Sequence, residues 1–286
     1  MCFTLACTGP HDAGRGNGVR GMKEKLFSQG DAYERFMGRW SRTLALPFVS
    51  FCGVRDRESV LDVGSGTGSL ALALETATKA SRITGVDPAQ AYVSYAQRRT
   101  NDYRVTFEIG DAQQLRFPDW TFDKTLSLLV LNFIPDPRRA LKEMIRVTRP
   151  GGVVAATVWD YAEGMEMLRI FWDEAVALDS EIEARDERHM PFCKKGELAA
   201  LWREHGLLDV EEVSLSIPLT FSSFGDYWSP FLEGQGPAGS YVGSLPPGQQ
   251  LRLEQRLRHR VLAEGPDGPI TLKARAWAVK GVVPRH

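Results

Sequence analysis

The chain is poor in the features that staple, anchor or polarise a protein. Four of its 286 residues are cysteine (Cys2, Cys7, Cys52 and Cys193), with no Cys-x-x-Cys pair and no Cys/His cluster at metal spacing. This argues against a disulfide framework and a structural zinc centre, so no metal is expected. Sparse thiols fit a reducing cytoplasm, the expected location. No apolar run approaches the roughly 20 residues that a membrane span requires. Neither sign of charge dominates: 35 Lys and Arg against 36 Asp and Glu leave a formal net charge of -1. A polyanion binder would carry a basic excess, so no nucleic-acid partner is expected. Arg98-Arg99 and Arg138-Arg139 read as solvated helix faces. The N-terminus, MCFTLACTGPHDAGRGNGVRG, lacks the basic start and long apolar stretch of a secretion signal. Residues 1–21 have little to bury and are expected to form a dispensable, disordered extension, with Met22 an alternative start. The remainder, 22–286, reads as one domain. Its 43% hydrophobic and 25% charged residues suffice for a sizeable core.

What is present is a strand–helix alternation. Apolar and aromatic positions recur at helical steps across Ser28–Phe51 (Tyr33, Phe36, Met37, Trp40, Leu44). Then follow a strand at Ser59–Val63, a helix at Ser69–Ala77, a strand at Arg82–Val86, a helix at Ala89–Arg99 and a strand at Val105–Ile109. A fourth strand is predicted at Lys124–Val130, then a helix at Pro137–Thr148 stopped by Pro150-Gly151-Gly152, and a fifth strand at Val153–Trp159. Such alternation predicts a doubly wound, mostly parallel α/β sheet with ligands outside the strands' carboxyl ends. Beyond Trp159 the pattern loosens. Helices are expected at Glu163–Leu178, Lys194–His205, Ser222–Leu232 and Gln249–Leu262, with GQGPAGSYVGSLPPG as a loop between the last two. Val210–Leu219 and Ile270–Val279 alternate as strands, the latter closing the sheet antiparallel.

The chemistry concentrates at three strand ends. Val60-Leu61-Asp62-Val63-Gly64-Ser65-Gly66-Thr67-Gly68 is a glycine turn after a strand, able to bring backbone N–H groups close to a ligand. Asp87-Pro88 ends the second strand, where a carboxylate can accept from both hydroxyls of a ribose. Asp111 ends the third, followed by Ala112 and Gln113. Its side chain could accept from an adenine amino group. A dinucleotide site uses the same acid after the second strand, but Asp62 is awkward beside a pyrophosphate and suits a ligand that carries an ammonium group. An NAD-linked oxidoreductase and a non-catalytic nucleoside-binding module therefore stand as the alternative readings.

VLDVGSGTG, GVDPAQAYVSYAQRR, EIGDAQQLRFPDWTFD and IPDPRRALKEMIRVTRPGGVV, in this order over about residues 59–159, resemble the successive motifs of class I S-adenosylmethionine-dependent methyltransferases. The most similar group is the ubiquinone/menaquinone-biosynthesis-like, "type 11" set of small-molecule enzymes. AYERFMGRWS (residues 32–41) resembles their N-terminal helix, which folds over the cofactor. The resemblance implies a seven-stranded Rossmann-like sheet with an antiparallel last strand and helical cap insertions. The core would cover about 52–160 and the cap about 28–50, 160–195 and 220–265. It also implies S-adenosyl-L-methionine as cofactor. Asp62, Gly64, Ser65, Gly66, Thr67 and Gly68 would lie along the methionine side. Asp87 and Pro88 would lie at the ribose, Asp111, Ala112 and Gln113 at the adenine, and Leu128 and Leu129 near the sulfonium. Tyr33, Arg39 and Trp40 would come from the covering helix. Many relatives carry a histidine pair after the fourth strand where this chain has Asn132-Phe133.

Methyl transfer from a sulfonium needs alignment above all, and a base only where the acceptor must lose a proton. The expected partner is a small-molecule acceptor enclosed by the large side chains of the cap, among them Tyr161, Trp172, Tyr227, Trp228 and Tyr241. His189 is the first candidate base, because an imidazole titrates near neutrality, and Tyr33 the second. Neither an Asn-Pro-Pro-Tyr-like tetrapeptide nor an acid–histidine pair follows the fourth strand.

Overall fold

The computed structural model describes residues 31–263 and 265–285. The expected extension, residues 1–21, and the start of the expected first helix at Ser28 lie outside them. Seven strands form one sheet in the order β3-β2-β1-β4-β5-β7-β6. They are β1 (Ser59–Val63), β2 (Arg82–Asp87), β3 (Val105–Ile109), β4 (Phe122–Leu128), β5 (Thr148–Trp159), β6 (Leu208–Phe221) and β7 (Ile270–Val282). The first five pair in parallel, and β7 enters antiparallel between β5 and β6. The strand order reverses at β1, whose neighbours are β2 and β4. The crevice beyond the carboxyl ends of β1 and β4 is where such sheets bind ligands.

Parallel strands covered on both faces are largely buried, and the apolar residues of β1 and β4 show it: Val60, Leu61, Val63 and Leu126 are all fully buried. Three helices sit among the first five strands: α2 (Ser69–Ala77), α3 (Gln90–Gln97) and α4 (Pro137–Val147). Helix α4 starts where Asp136 accepts the backbone N–H of Arg139 and Pro137 occupies the first turn. Ahead of them, residues 31–51 are helical, with a π-helical turn at Glu34–Gly38 leading into α1 (Arg39–Phe51).

Pro150-Gly151-Gly152 does not separate helix from strand as expected; β5 runs through it. Against β4 the register passes from Phe122↔Thr148 to Lys124↔Val153, so the extra residues bulge out. A bulge is where a strand tolerates proline, because no ladder N–H is needed there. Val283 fastens it, accepting from Gly151 N at 2.8 Å and donating to Gly152 O at 2.9 Å.

The cap comes from the connections to the last two strands. Between β5 and β6 lie α5 (Glu166–Leu178) and α6 (Glu197–Glu204). Between β6 and β7 lie α7 (Phe224–Trp228), α8 (Gly236–Ser244) and α9 (Pro247–Leu262). The segment expected to be a loop thus contains α8. Its glycines argue against a helix, but burial of Ala238, Tyr241 and Val242 outweighs that preference, and Pro237 sits in its first turn, where no N–H is required. Phe171 of α5 stacks on Phe231 with ring centroids 4.6 Å apart and meets Trp172 edge-on, all three essentially dry. The cap aromatics therefore form a second packed core.

Residues 31–51 bridge the two cores. Phe36 meets Phe231 at 5.3 Å, Trp40 meets Phe221 at 5.3 Å, and the Arg39 guanidinium pairs with Asp226 at 2.8 Å. Trp40 is 4% exposed. Trp40→Ala is therefore expected to cost about 3–5 kcal/mol through the cavity it leaves. A melting curve that matches the parent chain would show the helix to be a loose appendage.

Candidate active site

The glycine turn is built by the strand before it and the neighbouring strand. Gly64 N and Ser65 N both donate to Val86 O, at 2.8 and 2.9 Å, which pins the turn across the end of β2. Gly64 has φ +74°, and a Cβ there would lie 2.5 Å from a Val130 methyl, so no side chain fits. Gly66, with φ +52°, has no atom within 4 Å of the position a Cβ would take. The backbone is bare at that point and open to a ligand.

Asp87 is held on both oxygens. Oδ2 accepts Gly66 N at 3.0 Å and Oδ1 accepts Ala89 N at 2.8 Å. A carboxylate offers about four lone-pair sites, so two remain for the hydroxyls of a ribose. Burial raises the Asp87 carboxyl above its ordinary value, and the two N–H donors act against that rise. Pro88 is exposed beside it. Asp62 lies beneath the turn, fully buried. Its Oδ2 accepts Ala71 N at 3.1 Å and its Oδ1 has no partner. Burial pushes this carboxyl up to about 8, with the nearby Asp87 adding to the effect. A buried acid with one oxygen unsatisfied suits a cationic neighbour.

At the end of β3, Asp111 Oδ1 accepts Gln113 N at 2.8 Å, and Gln113 Oε1 accepts Asp136 N at 3.0 Å, so the loop that carries Ala112 is fixed. At the end of β4, Leu128 and Leu129 are buried, and Leu129 takes φ +64° while its N–H donates to Thr157 O at 2.8 Å. A left-handed leucine costs about 1–2 kcal/mol. Strain of that kind collects at ligand edges. The sequence pattern gives no sign of it.

Tyr33 packs its ring 5.7 Å from that of Tyr92 and lies within electrostatic reach of Asp87. Burial raises its hydroxyl above the ordinary range, so it stays a neutral hydrogen-bonding group. Arg39 and Trp40, also expected beside the cofactor, are engaged elsewhere: their side chains pack on Asp226 and Phe221 of the cap. His189 is exposed. Glu187, two residues before it, is buried at 4% exposure, beside the equally buried Asp186.

Glu34 was not foreseen in the sequence. Its buried carboxylate accepts the Thr67 hydroxyl of the glycine turn and pairs with Arg42, while Arg99 lies 3.5 Å away. Arg99 also donates to Thr67 O at 2.9 Å, so it is half-buried in this latch and not the solvated charge expected. The π-helical turn that presents Glu34 is the one irregular signal of the helix, and such turns gather at functional sites. Glu34→Ala would leave Arg42 and Arg99 facing one another across the turn. It is expected to speed cofactor release about tenfold, as measured by stopped-flow; an unchanged release rate would make the latch purely structural.

The unsatisfied Asp62 oxygen, the doubly held Asp87 carboxylate, the fixed Asp111–Gln113 loop and the bare backbone at Gly66 thus lie along the carboxyl ends of neighbouring strands. Residues 61–156 match the family described as "Methyltransferase domain". Sheet order, glycine turn and strand-end acids together are those of a class I S-adenosylmethionine-dependent methyltransferase. Over 108 residues the chain is 35% identical to the ubiquinone/menaquinone biosynthesis C-methyltransferase UbiE of Bdellovibrio bacteriovorus, covering 37% of this chain and 46% of that one. The chain thus spans about half the length of that relative. With the demethylmenaquinone methyltransferase of Bacillus licheniformis it shares 28% identity over 212 residues, 68% of this chain and 89% of that one. Among solved structures, phosphoethanolamine N-methyltransferase 2 of Haemonchus contortus, in complex with S-adenosyl-L-methionine, superposes with a TM-score of 0.56. It is 17% identical, covering 94% of this chain and 59% of that one, a likeness of fold. Among the described residues there is no helix long and apolar enough to cross a membrane and no group of side chains that could hold a metal ion.

Proposed function

We propose that this protein transfers the methyl group of S-adenosylmethionine to a small-molecule acceptor enclosed between the sheet edge and the cap. The observation that carries this reading is the paired strand-end acids. Asp87 is locked by Gly66 N and Ala89 N with lone pairs to spare, and Asp62 keeps one buried oxygen unsatisfied. When bound, the cofactor supplies an activated methyl on a sulfonium, so the protein need only bind, align and keep water away. Asp87 would hold the ribose and Asp62 the ammonium end. Asp111, Ala112 and Gln113 would border the base, and Leu128 and Leu129 would wall the reacting centre with apolar surface. Glu34 and Tyr33 would close the N-terminal helix over the turn. The cap packs over this same sheet edge, and the overall charge is near balance, which supports a small acceptor over a nucleic acid.

Calorimetry with S-adenosylmethionine and with NADH tests the reading directly. Binding of the first and not the second is expected, and the reverse would turn the assignment to a dinucleotide enzyme. Turnover of labelled methyl groups into a metabolite extract would then separate an enzyme from a nucleoside-binding module.

A further inference from the structure

The cap carries a buried acid that cofactor binding does not use. Glu187 sits in the connection between α5 and α6, 4% exposed. Its Oε2 accepts the indole N–H of Trp172, and among the described residues the carboxylate makes no other hydrogen bond. The Tyr161 hydroxyl lies within its electrostatic reach and next to Asn132. Asn132, just past the end of β4, is 7% exposed. Its Nδ2 lies 3.3 Å from Met190 Sδ. A thioether sulfur can only accept, which fixes the orientation of the amide and leaves the buried Oδ1 without a partner. A buried acceptor left unmatched is costly, and a ligand donor is the economical explanation. Tyr161 is also within reach of Tyr33, and Tyr33 of Asp87. The Asn132–Met190 contact joins the end of β4 directly to the loop that carries Glu187.

The charges around Glu187 are already engaged. Arg169 of α5 pairs with Asp186 at 3.1 Å, and Arg188 pairs with Asp186 at 2.6 Å and with Asp173 at 3.0 Å. Arg169 keeps one buried donor, Nε, without a hydrogen-bond partner among the described residues. Asn132 Oδ1 is a buried acceptor without a partner among the described residues, and the Glu187 carboxylate holds only the Trp172 indole.

Resting on the methyl-transfer reading above, we infer that Asn132 and Glu187 form the acceptor subsite, which takes a compound bearing a hydroxyl of phenolic acidity, with Glu187 as the base and Asn132 as a positioning residue. In the reaction the acceptor O–H breaks and its proton goes to the Glu187 carboxylate. The oxygen's electron pair forms the new bond to the methyl carbon. The carbon–sulfur bond breaks with its pair left on sulfur, and the sulfonium becomes a neutral thioether. Burial pushes the Glu187 carboxyl up to about 7, opposed by the Trp172 hydrogen bond and by Arg169, and assisted by Asp186. A base of that strength is half ionised at neutrality and more so above it, and lies close enough to a phenol, at roughly 10, for useful proton transfer.

The test uses the full chain with 2-naphthol as the probe hydroxyl and S-adenosylhomocysteine present. Glu187→Gln keeps an acceptor for the Trp172 indole, so the cap should stay folded, and a melting curve checks this. The wild type is expected to bind 2-naphthol, and Glu187→Gln and Asn132→Ala to bind it at least about tenfold more weakly. The Trp172 indole N–H resonance, assigned with Trp172→Phe, should titrate near pH 7, shift when the probe is added, and lose its titration in Glu187→Gln. With S-adenosylmethionine in place of the product, formation of the naphthyl methyl ether should fall about a hundredfold in Glu187→Gln. Absence of 2-naphthol binding, equal binding by Glu187→Gln, or an unmoved Trp172 resonance would overturn the assignment. Failure of the wild type to bind S-adenosylmethionine alone would instead remove the methyl-transfer reading and leave the naphthol result standing.

Discussion

Replacing Asp87 with alanine is expected to raise the dissociation constant for S-adenosylmethionine by about a hundredfold or more. Two effects combine. The first is direct: hydrogen bonds to a charged group contribute roughly 1.5–3 kcal/mol each, and Asp87 has lone pairs for two hydroxyls. The second acts through the backbone. Asp87 Oδ2 fixes Gly66 N and Oδ1 fixes Ala89 N, so the alanine variant also loosens the turn that faces the ligand. Asp87→Asn separates them, because its remaining oxygen can hold one of the two N–H groups while the charge is gone. The asparagine variant should lose about tenfold, and the alanine variant distinctly more. Calorimetry that found both folded variants as tight as the parent would take Asp87 out of the site.

The second large effect concerns pH. Asp62 is fully buried and its carboxyl is pushed up to about 8 from an ordinary 3.8. An acid raised in this way holds its proton more tightly in the folded chain than in the unfolded one. Its contribution to stability is complete below about pH 4 and is lost as the pH rises towards 8. A tenfold change in proton affinity between the two states is worth about 1.4 kcal/mol, so the loss is on the order of several kcal/mol. The cofactor-free protein should therefore melt lower at pH 8.5 than at pH 6, by roughly 5–10 °C for a domain of this size. Glu187, pushed to about 7, adds to the same trend. Asp62→Asn removes the larger part of the slope and should weaken cofactor binding at the same time. Saturating S-adenosylmethionine should flatten the slope in the parent, since a cation beside Asp62 restores the charged form. Identical pH slopes for parent and Asp62→Asn would show that this carboxyl is ionised throughout in the folded chain, as it is in the unfolded one.

The donor half was readable because each of its elements is defined by neighbours in sequence. The helix Ser69–Ala77 and the strand Val105–Ile109 lie where apolar pattern and flanking breakers put them, and the glycine turn with Asp87 and Asp111 marks one sheet edge. The misreadings share a cause: local preference yielding to distant contact. Pro150-Gly151-Gly152 looks like a break, but a bulge fastened by Val283 carries β5 through it. The glycine-rich stretch around Tyr241 looks like a loop, but the cap core draws it into α8. Glu34 lies next to Arg35 between aromatic residues, and Glu187 sits in the charged run Arg185-Asp186-Glu187-Arg188, so neither announces its burial. Their burial depends on Thr67 in one case and Trp172 in the other, partners that no periodicity could disclose. His189 drew notice for its residue type, while the fold turned its neighbour inward.

The position of β7 between β5 and β6 divides the chain's labour by order. All three strand-end acids, and the turn between them, are complete before residue 160. The cap segments that follow hang on the two strands at the far side of the sheet, and β7 pairs with β5 without touching β1 or β4. The connections on either side of β6 can therefore lengthen, shorten or be exchanged with little disturbance to the half that meets the nucleotide. In a lineage, the compound that is methylated could change many times while the methyl source stayed the same. Residues 31–51 are tied to both halves, through Glu34 on one side and Arg39 on the other. They would have to be rewritten with every new cap.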